Sequence, residues 1–410
     1  MKALTVLLSA LLIGCLACCS SDKPIQSKKE PPRPLTVSER KVVEASGGFA
    51  YNFFREMAAY QDTGNLFVSP LSVSLALGMT LNGTAGETRT AIEQTLDLGG
   101  MSSEEINQSY MSLMNLLTTM DPTVTFEIAN SIWTRLGFPV KQSFYDVNRE
   151  FFESEVRELD FDYDWAADTI NGWVARKTHD RIDSIVDKPI DPSTVMFLIN
   201  AIYFYGDWTY QFDQTHTRDA QFNLVDGSQT PCRMMAQTAT VPYLVTDQFR
   251  MATLPYGDGY FNMAIILPDE TVSINDFIAG FAEESFNAWL DQSHATEIDL
   301  FLPKFTLEWG SSLKDVLKAM GMAIAFGGAA DFSELTDSAD LYISDVRQKT
   351  FVKVDEEGTE AAAVTVVDIR VTSAEPTTMR LDRPFVCVIY DNHTGSILFI
   401  GRIMNPGYAG

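Results

Sequence analysis

The chain has 410 residues, of which 46% are hydrophobic and 21% are charged, a composition typical of a globular protein. It carries 55 Asp and Glu against 30 Lys and Arg, which gives a formal net charge of −25 at pH 7. Because nucleic-acid binding needs clustered Lys and Arg, this charge argues against a nucleic-acid partner and against direct electrostatic binding to anionic lipid.

Residues 1–18 are expected to form a signal peptide. Met1 and Lys2 precede an apolar run that ends near Ile13 and is too short to span a bilayer. Small residues followed by cysteine then resemble the bacterial lipobox, in which the cysteine receives a lipid and becomes the mature N-terminus. Cys15 fits this pattern best and Cys18 nearly as well; the alternative is an ordinary cleaved signal. We therefore expect an exported protein, either lipid-anchored in the bacterial cell envelope, at the outer membrane, or secreted, with no other membrane contact.

A tether and a single domain are expected to follow. Residues 19–37 are polar and rich in proline, as in an extended linker without packed structure. Residues 38–410 contain no tandem repeat and no second low-complexity linker, which favours one large α+β domain. We expect this domain to be a monomer.

Helical periodicity begins near Glu39, and Ser69 is placed to cap a second helix that starts at Pro70 and ends near Asn82. The apolar run 196–205 predicts a central strand covered on both faces. Further helices are predicted at 84–96, 142–152, 165–179, 274–290 and 311–320. Further strands are predicted at 126–133, 222–224, 240–245, 250–254, 262–267, 299–307, 350–354, 385–391 and 397–403.

The segment 355–373 alternates in a way that suits both an exposed loop and a strand. From Thr359 to Ile369, one set of alternate positions holds only small or apolar residues, and the other set carries every charge. A period of two with one uncharged face is typical of a half-buried strand. An ordinary edge strand preceded by a linker is the alternative interpretation.

The sequence offers no anchor for an enzyme. It contains no nucleophile elbow, phosphate-binding loop or dinucleotide fingerprint, and its four histidines lack metal-ligand spacing. Cys232 and Cys387, the two cysteines of the expected domain, are interpreted as buried free thiols. We therefore predict no catalytic residue, no cofactor and no metal.

Six motifs in order resemble the serpin family from about Val37 to Pro406. The most specific is the hinge, which consists of Glu356, Glu357, Gly358, Thr359, Glu360, Ala361, Ala362 and Ala363. The others are 65–72, 200–208, 302–305, 381–386 and 397–406.

The resemblance implies a serpin fold, with three β-sheets, about nine surrounding helices and an exposed reactive-centre loop. It also implies that Ser69, Ser72 and Asn200 lie where the main sheet must part, with Trp208 near the top of that opening. Gln348 departs from the family, many members of which have a histidine there. Its amide can donate and accept hydrogen bonds, so it could bridge the same strands without titrating.

The resemblance further implies a suicide-substrate inhibitor of serine endopeptidases, with cysteine endopeptidases as a second target class that stays open. The scissile bond commonly lies fourteen residues after the hinge glycine, which places it at Thr372-Ser373 and suits elastase-like enzymes. Cleavage at Arg370-Val371 would suit trypsin-like enzymes, and both bonds stay open. A non-inhibitory binding protein with the same fold at the cell surface is the main alternative; an unrelated lipid-anchored binding protein and a hydrolase are the others.

Overall fold

The computed structural model describes residues 32–337, 341–359 and 377–408. From Pro34 onward the chain forms one compact unit. Nine α-helices occur in the described part: α1 (Val37–Tyr60), α2 (Pro70–Leu81), α3 (Gly86–Thr95), α4 (Ser103–Thr119), α5 (Gln142–Phe152), α6 (Asp164–Lys177), α7 (Ile274–Ala279), α8 (Glu283–Gln292) and α9 (Lys314–Leu317).

The described strands form three sheets, so the expected α+β architecture is confirmed. One sheet has nine strands: β1 (Leu66–Val68), β5 (Arg218–Asn223), β6 (Gln229–Val245), β7 (Phe249–Tyr256), β8 (Phe261–Pro268), β9 (His294–Pro303), β13 (Thr377–Arg380), β14 (Phe385–Asp391) and β15 (Ile397–Ile403). A second has four: β2 (Val124–Arg135), β3 (Glu155–Leu159), β4 (Met196–Asp207) and β12 (Gly358–Thr359). The third pairs β10 (Phe305–Ser312) with β11 (Arg347–Val354).

Local capping signals explain where α2 and α4 begin. The side chain of Ser69 accepts a hydrogen bond from the backbone N–H of Ser72, and Pro70 occupies the first turn of α2, as the sequence predicts. Most of α2 is buried, because it runs beneath the strands rather than over the surface. Sequence reasoning missed α4, although Ser102 and Glu105 form the reciprocal capping box that marks its start.

Two predicted elements are interrupted, and in each case another contact replaces the predicted continuation. The helix expected over 274–290 ends at Gly280, and the ring of Phe281 stacks against Trp289 at 5.4 Å instead of continuing the helix. The strand expected over 299–307 divides at Lys304, whose backbone N–H bonds to the carbonyl of Arg233. The chain thereby leaves β6 and pairs with β11.

The core is centred on β8, β14 and β15, every residue of which is buried. Cys387 lies in β14 and Cys232 in β6, and both are buried free thiols, as the sequence predicts. This rigid block supports β1 and the start of α2, which form the floor of the site described below.

Candidate functional site

A slot separates β4 from β11, which are not paired with each other. Residues of both strands line one cavity of about 780 Å³, with α2 beneath it. A smaller cavity continues upward between the same strands, and its lining includes Ile202, Val352 and Thr359. Since each strand is paired on its other side, with β2 or with β10, the slot is bounded by two sheet edges.

The slot changes the expected environment of β4. The sequence predicts a strand covered on both faces, yet Met196, Phe197 and Leu198 are only half-buried. These residues line the large cavity. Their partial exposure therefore suits a strand that faces a slot on one side, which no described residue fills.

The floor of the slot holds a buried hydrogen-bond network around Ser69. Its hydroxyl donates to the carbonyl of Leu398 at 2.7 Å. The side-chain amide of Gln348 accepts from the N–H of Ser69 at 3.1 Å and donates to its carbonyl at 2.7 Å. Gln348 therefore ties β11 to the start of α2 through its neutral amide. Ser69, Ser72, Asn200 and Gln348 all line the same cavity.

Asn200 contributes an unsatisfied acceptor to this slot. Its side-chain N–H donates to Oδ1 of Asn130 at 2.8 Å, and Asn130 in turn donates to the carbonyl of Phe152 at 2.7 Å. Oδ1 of Asn200 is buried and has no hydrogen-bond partner among the described residues. An unpaired buried acceptor costs about 1–3 kcal/mol, so a donor that entered the slot would be stabilised there.

The hinge already enters the top of the slot. Gly358 and Thr359 pair antiparallel with Asp207 and Gly206 of β4, and the N–H of Asp355 donates to the carbonyl of Gly358 at 3.1 Å. Gly358 has a positive φ, and a side chain there would collide with the carbonyl of Gly206. The short strand β12 therefore lies between the upper ends of β4 and β11 and points down the slot.

Trp208 fixes the chain from which the hinge emerges. Its indole N–H donates to the carbonyl of Asp355 at 3.0 Å, and its backbone N–H donates to the carbonyl of Glu357 at 2.9 Å. Its ring stacks on Tyr256 with centroids 4.4 Å apart. The hydroxyl of Tyr256 lies 2.9 Å from that of Thr359. Sequence reasoning placed Trp208 here but missed Tyr256, which no motif distinguishes.

A buried ion pair anchors the hinge on its other side. Glu356 is 2.8 Å from Nζ of Lys304 and accepts a hydrogen bond from the hydroxyl of Thr217 at 2.6 Å. Burial by itself would raise the pKa of Glu356, but the hydrogen bonds from Lys304 and Thr217 outweigh it and lower that pKa. Lys304 and Thr217 had no assigned role in the sequence, because their proximity to Glu356 depends on the fold.

Two acidic groups, Asp207 and Asp355, also lie beside the hinge. Burial first, and the neighbouring Asp355 second, raise the pKa of Asp207 at the end of β4. Asp355 itself is paired with Lys353 at 2.9 Å. The top of the slot therefore concentrates negative charge that only two lysines, at positions 304 and 353, neutralise by direct contact among the described residues.

Several sequence-predicted residues fall outside the described ranges. They are the lipidation candidates Cys15 and Cys18, the hinge residues Glu360, Ala361, Ala362 and Ala363, and the reactive-bond candidates Arg370, Val371, Thr372 and Ser373. Within the described ranges, no helix has the length and hydropathy to cross a bilayer. The same part of the chain contains no cluster of three His, Cys, Asp or Glu side chains suited to a metal ion.

Comparison with known proteins identifies close counterparts of this architecture. Residues 44–406 match the family model described as Serpin (serine protease inhibitor). Human corticosteroid-binding globulin is 32% identical over 374 residues, which are 90% of this chain and 91% of that protein. The leukocyte elastase inhibitor of Xenopus laevis is 33% identical over 372 residues, 87% and 97% of the two chains. The native structure of the thermophilic serpin tengpin superimposes with a TM-score of 0.81 at 32% identity, covering 92% of this chain and 97% of that one.

Proposed function

Because this chain belongs to the serpin family, whose members include protease inhibitors and non-inhibitory binding proteins, we propose that it is a suicide-substrate inhibitor of serine endopeptidases. The observation that carries the proposal is the position of β12, which lies at the mouth of the slot between β4 and β11, above a cavity lined by both strands. The native fold is then a kinetically trapped state that has not completed its main sheet.

The first step is ordinary proteolysis. The protease serine attacks the carbonyl carbon of the residue before the scissile bond and forms an ester to it. The peptide nitrogen takes a proton and leaves as a new N-terminus. Water would normally hydrolyse this acyl ester, so inhibition requires a faster competing event.

The competing event is insertion of the cleaved loop. β12 is antiparallel to β4 and already lies next to the end of β11, so the residues after Thr359 need only continue in the same direction. Continuing the register would place Thr365 opposite Asn200, whose Oδ1 needs a donor. The new strand would hydrogen-bond to both slot edges and bury its uncharged face.

Insertion stops the protease because the protease is still attached to the moving loop. When the moving loop pulls on the acyl ester, the catalytic serine of the protease is displaced. The oxyanion hole and the catalytic triad of the protease are thereby disrupted. The loss of one oxyanion-hole donor is worth about 3–4 kcal/mol, so deacylation slows by orders of magnitude. The protein thus acts once, as a substrate whose product complex does not turn over.

The proposed target class follows from the two candidate bonds. Thr372-Ser373 suits an elastase-like protease with a small or apolar pocket, and Arg370-Val371 suits a trypsin-like protease with an acidic pocket. Cleavage at Arg370 leaves a shorter strand for insertion, so trapping would compete less well with hydrolysis. We propose Thr372-Ser373 and Arg370-Val371 as alternative reactive bonds in a monomeric inhibitor.

The test is to incubate the full-length protein separately with a pancreatic elastase and with trypsin. Denaturing electrophoresis should show an adduct that resists SDS, and mass spectrometry of the released peptide should locate the cut. Cleavage of the loop by a protease that is not trapped should also change the protein's stability. The cleaved protein should melt about 10 °C or more above the intact protein, because a strand is added to the sheet. Cleavage with neither an adduct nor a gain in melting temperature would refute the proposal.

A non-inhibitory binding protein at the cell surface is the second candidate. It is favoured by the similarity to corticosteroid-binding globulin, which is as close to this chain as the inhibitors are. The small, uncharged residues at alternate hinge positions favour the inhibitor, because nothing in a carrier requires them to enter a sheet. Turnover of the loop without an adduct would favour the carrier.

We also propose that the inhibitor is exported and lipid-anchored through Cys15 or Cys18. Mass spectrometry of the mature N-terminal peptide would show an acylated cysteine at one of these positions. An unmodified N-terminus beyond residue 18 would indicate an ordinary secreted protein.

A further inference from the structure

The cavity between β4 and β11 has apolar walls that come from three separate parts of the chain. Half-buried side chains line it from β4, from the segment before β4 and from the segment before β11: Met196, Leu198, Ile182, Ile185, Leu341 and Ile343. Those of the segment before β4 pack on the hydrophobic cluster of α6, and the other four pack on a different cluster around Phe332 and Leu335. The cavity therefore lies between two hydrophobic clusters that do not merge.

The size and shape of this cavity suit a small apolar molecule. Its volume is about 780 Å³, within the range of about 300–1,000 Å³ that small-molecule sites occupy. Its lining follows β4 from Met196 to Ile202, a length of about 20 Å at the rise of a β-strand. Burial of an apolar ligand against half-buried apolar walls is favourable, and a long, narrow ligand would contact most of them.

A polar group of defined character lies beside these walls, on Asn200. The side-chain N–H of Asn130 donates to the carbonyl of Phe152, so Oδ1 of Asn130 is an acceptor. The side-chain N–H of Asn200 must then be the donor to that oxygen. This chain of bonds fixes the orientation of the Asn200 amide and leaves its Oδ1 without a partner among the described residues. A ligand group that satisfies it has to be a hydrogen-bond donor.

Polar side chains of β11 that line the same cavity already have partners. The amide of Gln348 exchanges two hydrogen bonds with the backbone of Ser69. Lys349 donates to a hydroxyl group of the segment before β4, and Arg347 forms an ion pair with a carboxylate there. A hydroxyl group can donate to Asn200 at any ordinary pH, whereas an ionised carboxylate can only accept. The chemistry of the cavity therefore favours a neutral head group over an anionic one.

We propose that the cavity between β4 and β11 is a binding site for a neutral single-chain amphiphile, an aliphatic chain that ends in a hydroxyl group. The chain lies along Met196 and Leu198, and the hydroxyl group donates to Oδ1 of Asn200. This binding goes beyond the proposed inhibitory function, because it needs neither a protease nor a cleaved loop.

The first experiment compares three ligands of equal chain length on the intact full-length protein by calorimetry. The probes are 1-decanol, its methyl ether and decanoate. 1-Decanol should bind with a stoichiometry of about one and with a negative heat-capacity change, the sign of apolar burial. The methyl ether has no donor and should bind about three- to tenfold more weakly, as expected for loss of one neutral hydrogen bond. Decanoate should also bind more weakly than 1-decanol, because its buried head group would carry an unpaired charge.

The second experiment places the site. Ile343→Trp puts a larger side chain into the cavity and should weaken 1-decanol binding at least about tenfold. Leu136→Trp is the matched control, because Leu136 is 60% exposed and does not line the cavity; it should bind 1-decanol as the wild type does. Hydrogen–deuterium exchange of the wild type tests the site without any substitution. 1-Decanol should slow exchange in 196–202 and 341–350.

Each of the opposite results would overturn the proposal. Equal affinities for 1-decanol and its ether would exclude Asn200 as the partner, and tighter binding of decanoate would place the head group at a basic side chain instead. Unchanged exchange in both segments, or equal binding by the two tryptophan variants, would exclude the cavity. The cleaved protein separates this site from the inhibitory function. If it still binds 1-decanol and Ile343→Trp still weakens that binding, then the loop does not fill the cavity, so insertion fails and the site stands.

Discussion

The hydroxyl groups of Tyr256 and Thr359 lie 2.9 Å apart in a buried contact that joins the nine-stranded sheet to the first inserted residue of the hinge. Burial raises the pKa of Tyr256 well above its ordinary value, so the phenol stays protonated and able to donate. This bond holds Thr359 at the mouth of the slot.

Removing the hydroxyl group of Tyr256 should loosen the hinge. Tyr256→Phe keeps the stacking on Trp208 but removes the hydrogen bond, which should cost about 1 kcal/mol. Hydrogen–deuterium exchange at Gly358 and Thr359 should become faster by several-fold. Tyr145→Phe is a matched control, because it removes a hydrogen bond of 3.1 Å to Thr134 away from the slot. If Gly358 and Thr359 exchanged at the same rate in the two variants, the hydroxyl group of Tyr256 would not be what holds the hinge.

Under the proposed inhibitory mechanism, a charge at Thr359 should convert the protein from an inhibitor into a substrate. Thr359 is only 6% exposed, and Thr359→Arg would have to bury a cation beside β4 for insertion to proceed, at a cost of several kcal/mol. The fraction of protease trapped as adduct should fall at least about tenfold while loop cleavage continues. Glu360→Arg changes the neighbouring position of opposite parity and should trap protease nearly as well as wild type. Undiminished inhibition by Thr359→Arg would count against insertion.

Breaking the ion pair at the base of the hinge should destabilise the protein strongly. Lys304→Met leaves Glu356 buried without its cation, and such a loss typically costs about 3–5 kcal/mol. Lys353→Met is the control, because the pair it breaks is more exposed and should cost about 1 kcal/mol or less. Urea unfolding at pH 7.5 measures the loss of unfolding free energy in both variants.

The effect of Lys304→Met should also depend on pH. In the wild type the lowered pKa of Glu356 gives stability that is present above its ordinary pKa and is lost as the pH falls through the folded value. Without Lys304, burial should raise the pKa of Glu356 instead. Protonation of Glu356 would then remove its buried charge and make the variant less unstable. The destabilisation should therefore shrink between pH 7.5 and pH 5. If the difference in unfolding free energy between wild type and Lys304→Met stayed constant across this range, Glu356 would not depend on Lys304 for its charge.

A second titrating group lies where α8 meets α1. Burial first, and then the negative charges of Glu284, Glu44 and Asp97, raise the pKa of Glu283 from 4.5 to about 7. The carboxylate fits against Gly47 of α1, where a Cβ atom would lie only 2.5 Å from its Oε1 atom. Since the folded value is raised, this group favours the folded state at low pH and loses that contribution as the pH rises through 7.

Glu283→Gln should therefore stabilise the protein at pH 8, by about 2 kcal/mol after solvent screening is allowed for, and should change little at pH 5. Melting temperatures at the two pH values measure this. Glu284→Gln, at the exposed neighbouring position, should give a smaller gain at pH 8. A uniform effect of Glu283→Gln at both pH values would mean that its carboxyl group does not titrate in this range.

Local signals in the chain were enough to predict most of the elements. The Ser69 cap, the Pro70 start and the apolar run of β4 are each encoded within a few residues, so their boundaries could be predicted closely. The single helix predicted over 274–290 was wrong, since the helix ends at Gly280 and the ring of Phe281 packs on Trp289. Such a choice depends on residues brought close by the fold.

By itself, the sequence determined the family, the fold class and the position of the hinge, because these depend on motifs and on alternation that a linear chain displays. Only the tertiary structure decided which partners the hinge meets. Tyr256, Lys304 and Thr217 are far from it in sequence and reach it through three different strands or loops. The contacts of Ser184 and Asp187 with β11 likewise join residues about 160 positions apart. Pairing of this kind is set by packing and burial across the whole domain, and no local pattern records it.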